Sequence, residues 1–548
     1  MRQTDLPGFL GRFYTLFCLL LLSSLAGCGK RFSHSVRQVS APVPVAATVP
    51  DYTDSTLTLA AGKHYGRSRL HTFFYGKHYR SVWTTPVEVP VLDIGTAHGG
   101  LEPLQMGGSR QTINLRLQDS TGTEYVIRSL DKEPASALPK RLQKSYLADF
   151  IRDATSATNP YAPLALPTMA EAIGIHYLEP ELVFVPHDPR LGEFMDKIGG
   201  TMALLERRPA KDQSDYGPMG NATKVKSTRS AITERLTDND SYFDARLFLR
   251  SRLFDMLLGD WSRHEDNWRW AEGEYSDKAY VYKAIPRDRD NIFYKMDDGP
   301  VPWLLQRLGV KPHFQSFHKS ISAGRLEKLN RSGRNLDELI LARLSWQDWQ
   351  QIADSVQQAL TDEVIEQAFT ALPDTIHALT AASTISKLKA RRDSLPQMAR
   401  SYYATLAKKV QVVGTDKHER FEVEVQPNGG VLVRVYKMHK DREVQQLLYE
   451  RLFHPSETLT LELYGLGGDD VFILSGDARP GMKLKVWGGA GEDHYEANSP
   501  KPASRLRIFD SKYRNRLEVP RKAKIKLSNE QKAQTFNAEG WLLRYYLD

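Results

Sequence analysis

The residue types that can do chemistry are concentrated in two short clusters between Gly259 and Gly299. The first cluster combines carboxylates, an amide and an imidazole, and the second repeats an Arg-Asp pattern. Carboxylate and amide oxygens are ligands for Mg²⁺, and a carboxylate or an imidazole can accept a proton. The candidate catalytic residues are Asp260, Arg263, His264 and Asp266, and the second cluster adds the carboxylates of Asp288 and Asp290.

A helix and a hairpin are expected to position these clusters. Apolar residues at helical spacing predict a helix before the first cluster, with Asp240 as its N-cap and Gly259 as its end. Two short strands are predicted at 280–284 and 291–294, so that the second cluster lies on the turn of a hairpin. Polar clusters at the ends of rigid elements indicate a site rather than a solvated face.

A glycine-bearing turn upstream leads into two predicted strands, at 113–117 and 124–132. Nucleotide-binding lobes use this arrangement, because glycines let backbone N–H groups approach phosphates while a cation on the next strand neutralises them. Any hairpin with a Gly-Gly turn has a similar sequence, so a purely structural turn stays open. A short apolar strand at 201–209 falls where a hinge between two lobes is expected. The candidate nucleotide-binding residues are Gly107, Gly108, Arg128, Lys132 and Glu206.

The run Arg263-His264-Glu265-Asp266-Asn267 resembles the Arg-His-x-x-Asn part of the catalytic loop of atypical kinases, including phosphatidylinositol kinases and HipA-type protein kinases. The resemblance covers roughly residues 107–299 and implies a two-lobed kinase-like module that binds ATP and Mg²⁺. It also implies that Asn267 holds the metal with Asp288 as first choice and Asp290 as second. Phosphoryl transfer needs such a metal to bridge the phosphates and a carboxylate to orient the attacking hydroxyl.

One position departs from the family pattern. Ser262 precedes Arg263 where the family carries its catalytic aspartate, and a serine hydroxyl does not accept a proton near neutral pH as a carboxylate does. Asp260 and Asp266 are the nearest substitutes, although neither matches the motif position. A kinase-like fold that has lost or altered catalysis is therefore expected beside an active phosphotransferase.

Three other interpretations use the same chain. The imidazole and carboxylates of the two clusters could serve a metal-dependent phosphoesterase. The three arginines of the clusters, Arg263, Arg287 and Arg289, could instead pair with these acids in a partly buried ion network with tryptophans around it. The chain could also be a noncatalytic envelope scaffold that binds a protein partner through its C-terminal domain.

The N-terminus has the pattern of a secreted and lipidated protein. An apolar run at 13–22 is too short to span a bilayer and is typical of a signal-peptide core. The ending Leu25-Ala26-Gly27-Cys28 resembles the lipobox of bacterial lipoproteins, in which the cysteine is lipidated and becomes the first mature residue. Cys28 is then the only mature cysteine, and Gly29 favours an outer-membrane anchor facing the periplasm or the surface.

Composition and periodicity indicate an α+β protein of several domains. The 548 residues are 41% hydrophobic and 26% charged, and the net charge of +8 is spread along the chain, which argues against nucleic-acid binding. Arg391 and Arg392 lie in a long helical region and are expected to be solvated. The predicted domains are a signal peptide at 1–27, a flexible tether at 28–55, a capping region with a small β/α lobe at 56–210, a mainly helical lobe at 211–412 and an all-β domain at 413–548.

Two glycine-rich segments of the β domain share a Gly-x-x-Gly-acid-Asp-x-aromatic frame, one ending at Phe472 and the other at Tyr495. They resemble the calcium-binding nonapeptide of RTX β-rolls, which implies Ca²⁺ binding through Asp470 and Asp493. Genuine rolls stack several repeats nine residues apart, whereas this chain has two that are far apart. A pair of glycine-rich turns in a β-sandwich or a short solenoid is the alternative.

Overall fold

The computed structural model describes residues 51–107, 112–276, 279–309, 311–529 and 537–545, with the backbone alone at 275–276. Cys28, the predicted signal peptide and Gly108 lie outside the described residues. The predicted α+β class is confirmed, since helices and sheets both contribute substantially. None of the helices in these ranges has the length and apolarity of a bilayer-spanning segment. The chain divides into two compact units, one of residues 1–160 and 182–205 and the other of 161–181 and 206–548.

The first unit is built on a five-stranded sheet. After the β1–β2 pair, β3, β4 and β5 follow as an antiparallel meander, and the full order is β3-β4-β5-β7-β6. Buried aliphatic residues such as Leu115, Ile127 and Val185 form the core of this sheet. The strands are Thr56–Leu59 (β1), Val87–Pro90 (β2), Leu101–Gly107 (β3), Thr112–Asp119 (β4), Glu124–Lys132 (β5), Glu181–Val185 (β6) and Thr201–Arg207 (β7). The helices are Arg69–Tyr75, Arg80–Thr84, Tyr146–Asp153 and Met195–Ile198.

The second unit begins with a helical part that surrounds the helix Ala245–Leu258, here called the central helix. Eleven of its residues are buried, because neighbouring helices and a four-stranded sheet cover it. The helices are Leu166–Ala172, Thr228–Thr237, Ala245–Leu258, Pro300–Arg307, Ala323–Leu329, Arg334–Ile340, Trp346–Ala359, Asp362–Phe369, Asp374–Asp393, Leu395–Ala407 and Ala538–Leu542. The sheet has the order β8-β10-β11-β9, with strands Val225–Ser227 (β8), Ser241–Phe243 (β9), Trp268–Ser276 (β10) and Ala279–Pro286 (β11).

The rest of the second unit is a two-sheet parallel solenoid. The chain passes back and forth between a five-stranded sheet, β12-β16-β18-β20-β22, and a six-stranded sheet that carries the hairpin β14–β15 at one edge. Aliphatic and aromatic residues of both sheets, among them Val412, Phe421 and Phe472, fill the space between them. The strands are Lys409–Thr415 (β12), Glu419–Val425 (β13), Val431–Met438 (β14), Val444–Phe453 (β15), Thr460–Gly467 (β16), Val471–Ser475 (β17), Lys483–Ala490 (β18), His494–Ala497 (β19), Leu506–Ser511 (β20), Arg516–Glu518 (β21) and Lys524–Ser528 (β22).

Three local predictions need correction. Asp240 does not cap the central helix; Asp244 does, accepting a hydrogen bond from the Leu247 N–H at 2.9 Å. Residues 291–294 form no strand, because β11 pairs instead with β10 in the antiparallel register Trp268↔Pro286. Arg391 is not solvated: it is 1% exposed, where its guanidinium donates to the Met256 carbonyl oxygen at the end of the central helix.

Candidate functional site

The first polar cluster begins directly after the abrupt end of the central helix. Gly259 has φ 75°, in the left-handed region that glycine adopts without strain, and its N–H closes the last turn on the Asp255 and Met256 carbonyl oxygens. Arg391 also caps this end, donating to the Met256 and Leu257 carbonyl oxygens at 3.1 and 3.3 Å. The chain therefore leaves the helix at a fixed point.

The loop that follows is held by its own side chains. One carboxylate oxygen of Asp260 accepts the Ser262 N–H at 2.9 Å. The Asn267 amide nitrogen donates to the Ser262 carbonyl oxygen, and the Asn267 N–H donates to the His264 carbonyl oxygen at 3.0 Å. These bonds fold residues 260–267 into a compact turn with Asn267 almost fully buried.

Arg263 fastens this turn to the second cluster. Its guanidinium donates to the Asn267 carbonyl oxygen at 2.9 Å and to the Arg287 carbonyl oxygen at 2.6 Å, and it stacks on the ring of Trp268. The Arg287 N–H donates to the Asn267 carbonyl oxygen at 2.9 Å, so the Trp268↔Pro286 pairing of β10 and β11 is extended by one further step. The backbone of Asn267 is thereby hydrogen-bonded to the residue that precedes Asp288.

Asp288 has an unusual backbone conformation. Its φ is 54°, in the left-handed region where a residue with a side chain is strained. Its neighbours are both fixed, Arg287 through its backbone and Arg289 through a 2.9 Å hydrogen bond to Asp255. Such strain persists where the surroundings impose it, and it is typical of functional sites. The Asp288 side chain is 25% exposed and lies 3.4 Å from the Arg287 guanidinium.

Asp255 is the buried centre on which both clusters depend. Its carboxylate, which is fully buried, lies 3.1 Å from the Arg252 guanidinium, 3.3 Å from that of Arg263 and 2.9 Å from that of Arg289. Burial by itself would raise the pKa of Asp255, but the positive charges of the three arginines lower it overall. Part of the ion network expected as an alternative is present: Arg263 and Arg289 pair with Asp255, which lies outside the two clusters, whereas Arg287 pairs with Asp288.

The candidate catalytic acids differ in their access to solvent. Asp260 is 1% exposed and lies 3.5 Å from the Arg263 guanidinium. Burial nevertheless raises its pKa to about 6, and the nearby Asp255 charge adds to this. His264, Asp266 and Asp290 are half-buried. Within the described residues, no group of three or more His, Cys, Asp or Glu side chains has an arrangement that could hold a metal ion.

The described residues of the predicted nucleotide-binding set lie in the strands β3, β5 and β7 of one five-stranded sheet. Gly107 ends β3 opposite Asn114, Arg128 lies in β5 opposite the same Asn114, and Lys132 ends β5. Glu206 is the next-to-last residue of β7. Their role in binding a nucleotide stays a prediction.

The glycine-rich turns of the solenoid stack on one another. Asp470 accepts the Glu419 N–H at 2.8 Å, Asp493 accepts the Asp470 N–H at 3.0 Å, and Asn515 accepts the Asp493 N–H at 2.8 Å. We call these four residues the turn ladder. A side chain at Gly465 or Gly488 would collide with the carboxylates of Asp470 or Asp493. The second oxygens of both aspartates, Oδ2, are buried without a hydrogen-bond partner; Ca²⁺ binding there stays a prediction.

Comparison with known proteins adds little. No family model matches the chain, and no match was found among curated proteins. Thirteen chains of solved structures match. One is the Helicobacter pylori proinflammatory kinase CtkA, at 11% identity and a TM-score of 0.30 over 57% of this chain and 99% of that chain. A kinase is therefore a weak structural neighbour.

Arg252 and Asp255 were not among the predicted site residues, although the sequence around them contains a local signal. Arg252 and Asp255 are charged residues within an apolar helical stretch, which is itself a sign of a buried pair. Arg289 belongs to the second cluster, but its partner Asp255 lies 34 residues earlier.

Proposed function

We propose that the chain is a kinase-like protein that binds Mg²⁺ and a nucleoside triphosphate through Asn267 and Asp288. The observation that carries this proposal is the joint fixing of the two residues. One guanidinium, that of Arg263, ties their two segments together, and Asp288 is held in a strained backbone conformation beside it.

The donor set fits the ion. Mg²⁺ takes oxygen ligands and is commonly held by one or two carboxylates with an amide, waters and substrate phosphates. Asp288 supplies a partly exposed carboxylate. The amide nitrogen of Asn267 is committed to the Ser262 carbonyl oxygen, which leaves the amide oxygen for a cation. The bound ion would neutralise phosphate charge.

The fate of catalysis depends on the acids near Ser262. Asp260 is buried against Arg263 and accepts the Ser262 N–H, so it supports the turn. Asp266 is half-buried three residues after Arg263 and is the better placed carboxylate to receive a proton. We propose nucleotide binding as the primary activity; where a substrate hydroxyl is supplied, Asp266 would accept its proton while the γ-phosphate passes to the hydroxyl oxygen and the nucleoside diphosphate leaves. The proposed location is the outer membrane, through a lipid on Cys28.

A thermal-shift experiment tests the proposal. The midpoint of unfolding of the full chain should rise with Mg-ATP, because a ligand that binds only the folded state stabilises it. Asn267→Ala and Asp288→Asn should abolish the rise. Asp393→Asn is the matched control, since it makes the same change in a surface carboxylate, 65% exposed, that is paired with Arg392. No shift with any nucleotide would reject the proposal and favour a noncatalytic scaffold.

A further inference from the structure

A bare apolar stripe lies on the helix Arg69–Tyr75 of the first unit. Leu70, Phe73 and Phe74 are 67%, 65% and 39% exposed. Their spacing of three and four residues places them on one face of the helix. Two phenylalanines and a leucine in water are costly, at about 25 cal/mol for each Å² of apolar surface left uncovered. We therefore expect another molecule or surface to cover this stripe.

The opposite side of this helix is firmly attached, so the stripe is not a loose segment. The His71 ring nitrogen lies 3.1 Å from the Asp153 carboxylate, and the Tyr75 ring lies 6.1 Å from that of Phe150. Asp153 is in turn held by two hydrogen bonds from Arg80. Ser68 caps the start of the helix, accepting the His71 N–H at 3.3 Å.

The helix to which it is attached, Tyr146–Asp153, also exposes apolar residues. Tyr146 and Leu147 at its first turn are 55% and 48% exposed. They lie one helical turn before Phe150 and Ile151, so the two neighbouring helices both present apolar side chains to solvent.

The fully exposed charges of two segments beside these helices are all positive, and the acids that flank the second segment, Glu133 and Asp149, are paired with Arg152. The segments 67–79 and 134–148 contain no aspartate or glutamate. The exposed basic residues in them are Arg69, Lys77, Lys140, Arg141 and Lys144. A protein partner with an apolar groove would need no such uniform rim, whereas anionic lipid headgroups attract it at about 1 kcal/mol for each basic residue near the surface.

We infer that this surface is a membrane-docking site that inserts Leu70, Phe73 and Phe74 into the headgroup boundary of a bilayer containing anionic phospholipid. Aromatic and aliphatic side chains on one face with basic residues beside them are the pattern of helices that lie in the membrane interface. The predicted anchor adds to this. Cys28, the predicted lipidation site, is 23 residues before Asp51, the first described residue. The inference does not depend on nucleotide binding.

A fluorescent label at residue 73 tests the docking site directly. The chain has two cysteines, Cys18 and Cys28, so a full-length chain with both changed to serine accepts a single new cysteine. Phe73→Cys is labelled with an environment-sensitive dye. Leu379→Cys is the matched control, because Leu379 in the helix Asp374–Asp393 is itself 49% exposed. Both are mixed with vesicles that contain phosphatidylglycerol and with vesicles of phosphatidylcholine alone.

The emission of the dye at residue 73 should shift to the blue and become protected from an aqueous quencher with the anionic vesicles, while the dye at residue 379 stays exposed. Changing Lys140, Arg141 and Lys144 together to glutamine should weaken vesicle binding on the order of 100-fold, because each basic residue near the surface contributes the headgroup attraction given above. An unshifted label at residue 73 on vesicle-bound protein would overturn the inference. An equal shift with phosphatidylcholine, or a shift without vesicles that grows with protein concentration, would do the same.

Discussion

Two regions of the second unit bury aspartates in opposite ways. Around Asp255, three guanidinium groups lie within 3.3 Å of one carboxylate. In the turn ladder, Glu419, Asp470 and Asp493 follow one another and are linked through backbone N–H groups. The pKa of Asp255 is lowered, whereas burial and the neighbouring acids raise the pKa values of Asp470 and Asp493 well above the usual range.

The difference shows what each region can do. A carboxylate surrounded by arginines keeps its charge to a lower pH than a free aspartate does, so it can hold two loops in place. A region that buries a column of acids beside few cations can fold only if some of the acids keep their protons or if another positive charge lies next to them. The first arrangement is suited to presenting a ligand site, and the second makes the stability of the solenoid depend on pH.

The largest effect is expected from Asp255→Ala. Removal of this carboxylate leaves Arg252, Arg263 and Arg289 buried with less compensation, and breaking a buried ion pair from one side costs about 3–5 kcal/mol. The midpoint of urea unfolding, followed by tryptophan fluorescence, should fall accordingly. Asp393→Ala is the control, because it removes a carboxylate paired with Arg392 at the surface, at 65% exposure. An equal, small change for both variants would mean that Asp255 does not hold the network together.

The turn ladder should make the protein less stable as the pH rises. Burial raises the pKa of Glu419 from 4.5 to about 7, although hydrogen bonds from Thr415 and Asn239 act in the opposite direction and lower it. Since the folded state binds this proton more tightly than the unfolded state, its contribution is complete below pH 4.5 and is lost as the pH rises to about 7. A shift of that size corresponds to at most about 3 kcal/mol.

Glu419→Gln should reduce this pH dependence, measured as the unfolding free energy at a series of pH values from 4 to 8. Glu424→Gln is a control on the same strand, where the side chain is 46% exposed. Stability that rises over this pH range in the unchanged protein would contradict the account of the ladder.

The smallest effect is expected from Asp260→Asn. The asparagine oxygen can still accept the Ser262 N–H, and the pKa of the aspartate, raised to about 6 by burial, shows that its charge is poorly solvated. Unfolding free energy at pH 7 should change by about 1 kcal/mol or less, as for a hydrogen bond that is kept. Loss of Mg-ATP binding without loss of stability would instead assign Asp260 a direct role at the site.

Much of the local structure could be predicted from the sequence. Gly259 ends the central helix, Ser345 begins the helix Trp346–Ala359 with a capping box, and the hairpin of β13 and β14 turns at Asn428-Gly429. Each of these signals acts through neighbouring residues, so one stretch of sequence is enough to read it.

The remaining features depend on partners far along the chain. Asp240 is of a residue type that commonly caps helices, but it pairs with Lys437, which lies 197 residues later. Arg391 reaches the central helix across 135 residues. In the turn ladder the Gly-x-x-Gly frame identified Asp470 and Asp493, but Glu419 and Asn515 lack that frame and only the stacking of the turns shows that they belong to it.

The affinity for ATP, measured by calorimetric titration with and without Mg²⁺, tests the central claim most directly. We expect the full chain to bind ATP at least about tenfold more tightly when Mg²⁺ is present, a difference of about 1.4 kcal/mol. Asp288→Asn should remove this dependence on Mg²⁺, and Asp393→Asn should keep it. Absence of ATP binding, or a dependence on Mg²⁺ that survives in Asp288→Asn, would contradict the assignment of Asp288 and Asn267 as the metal site.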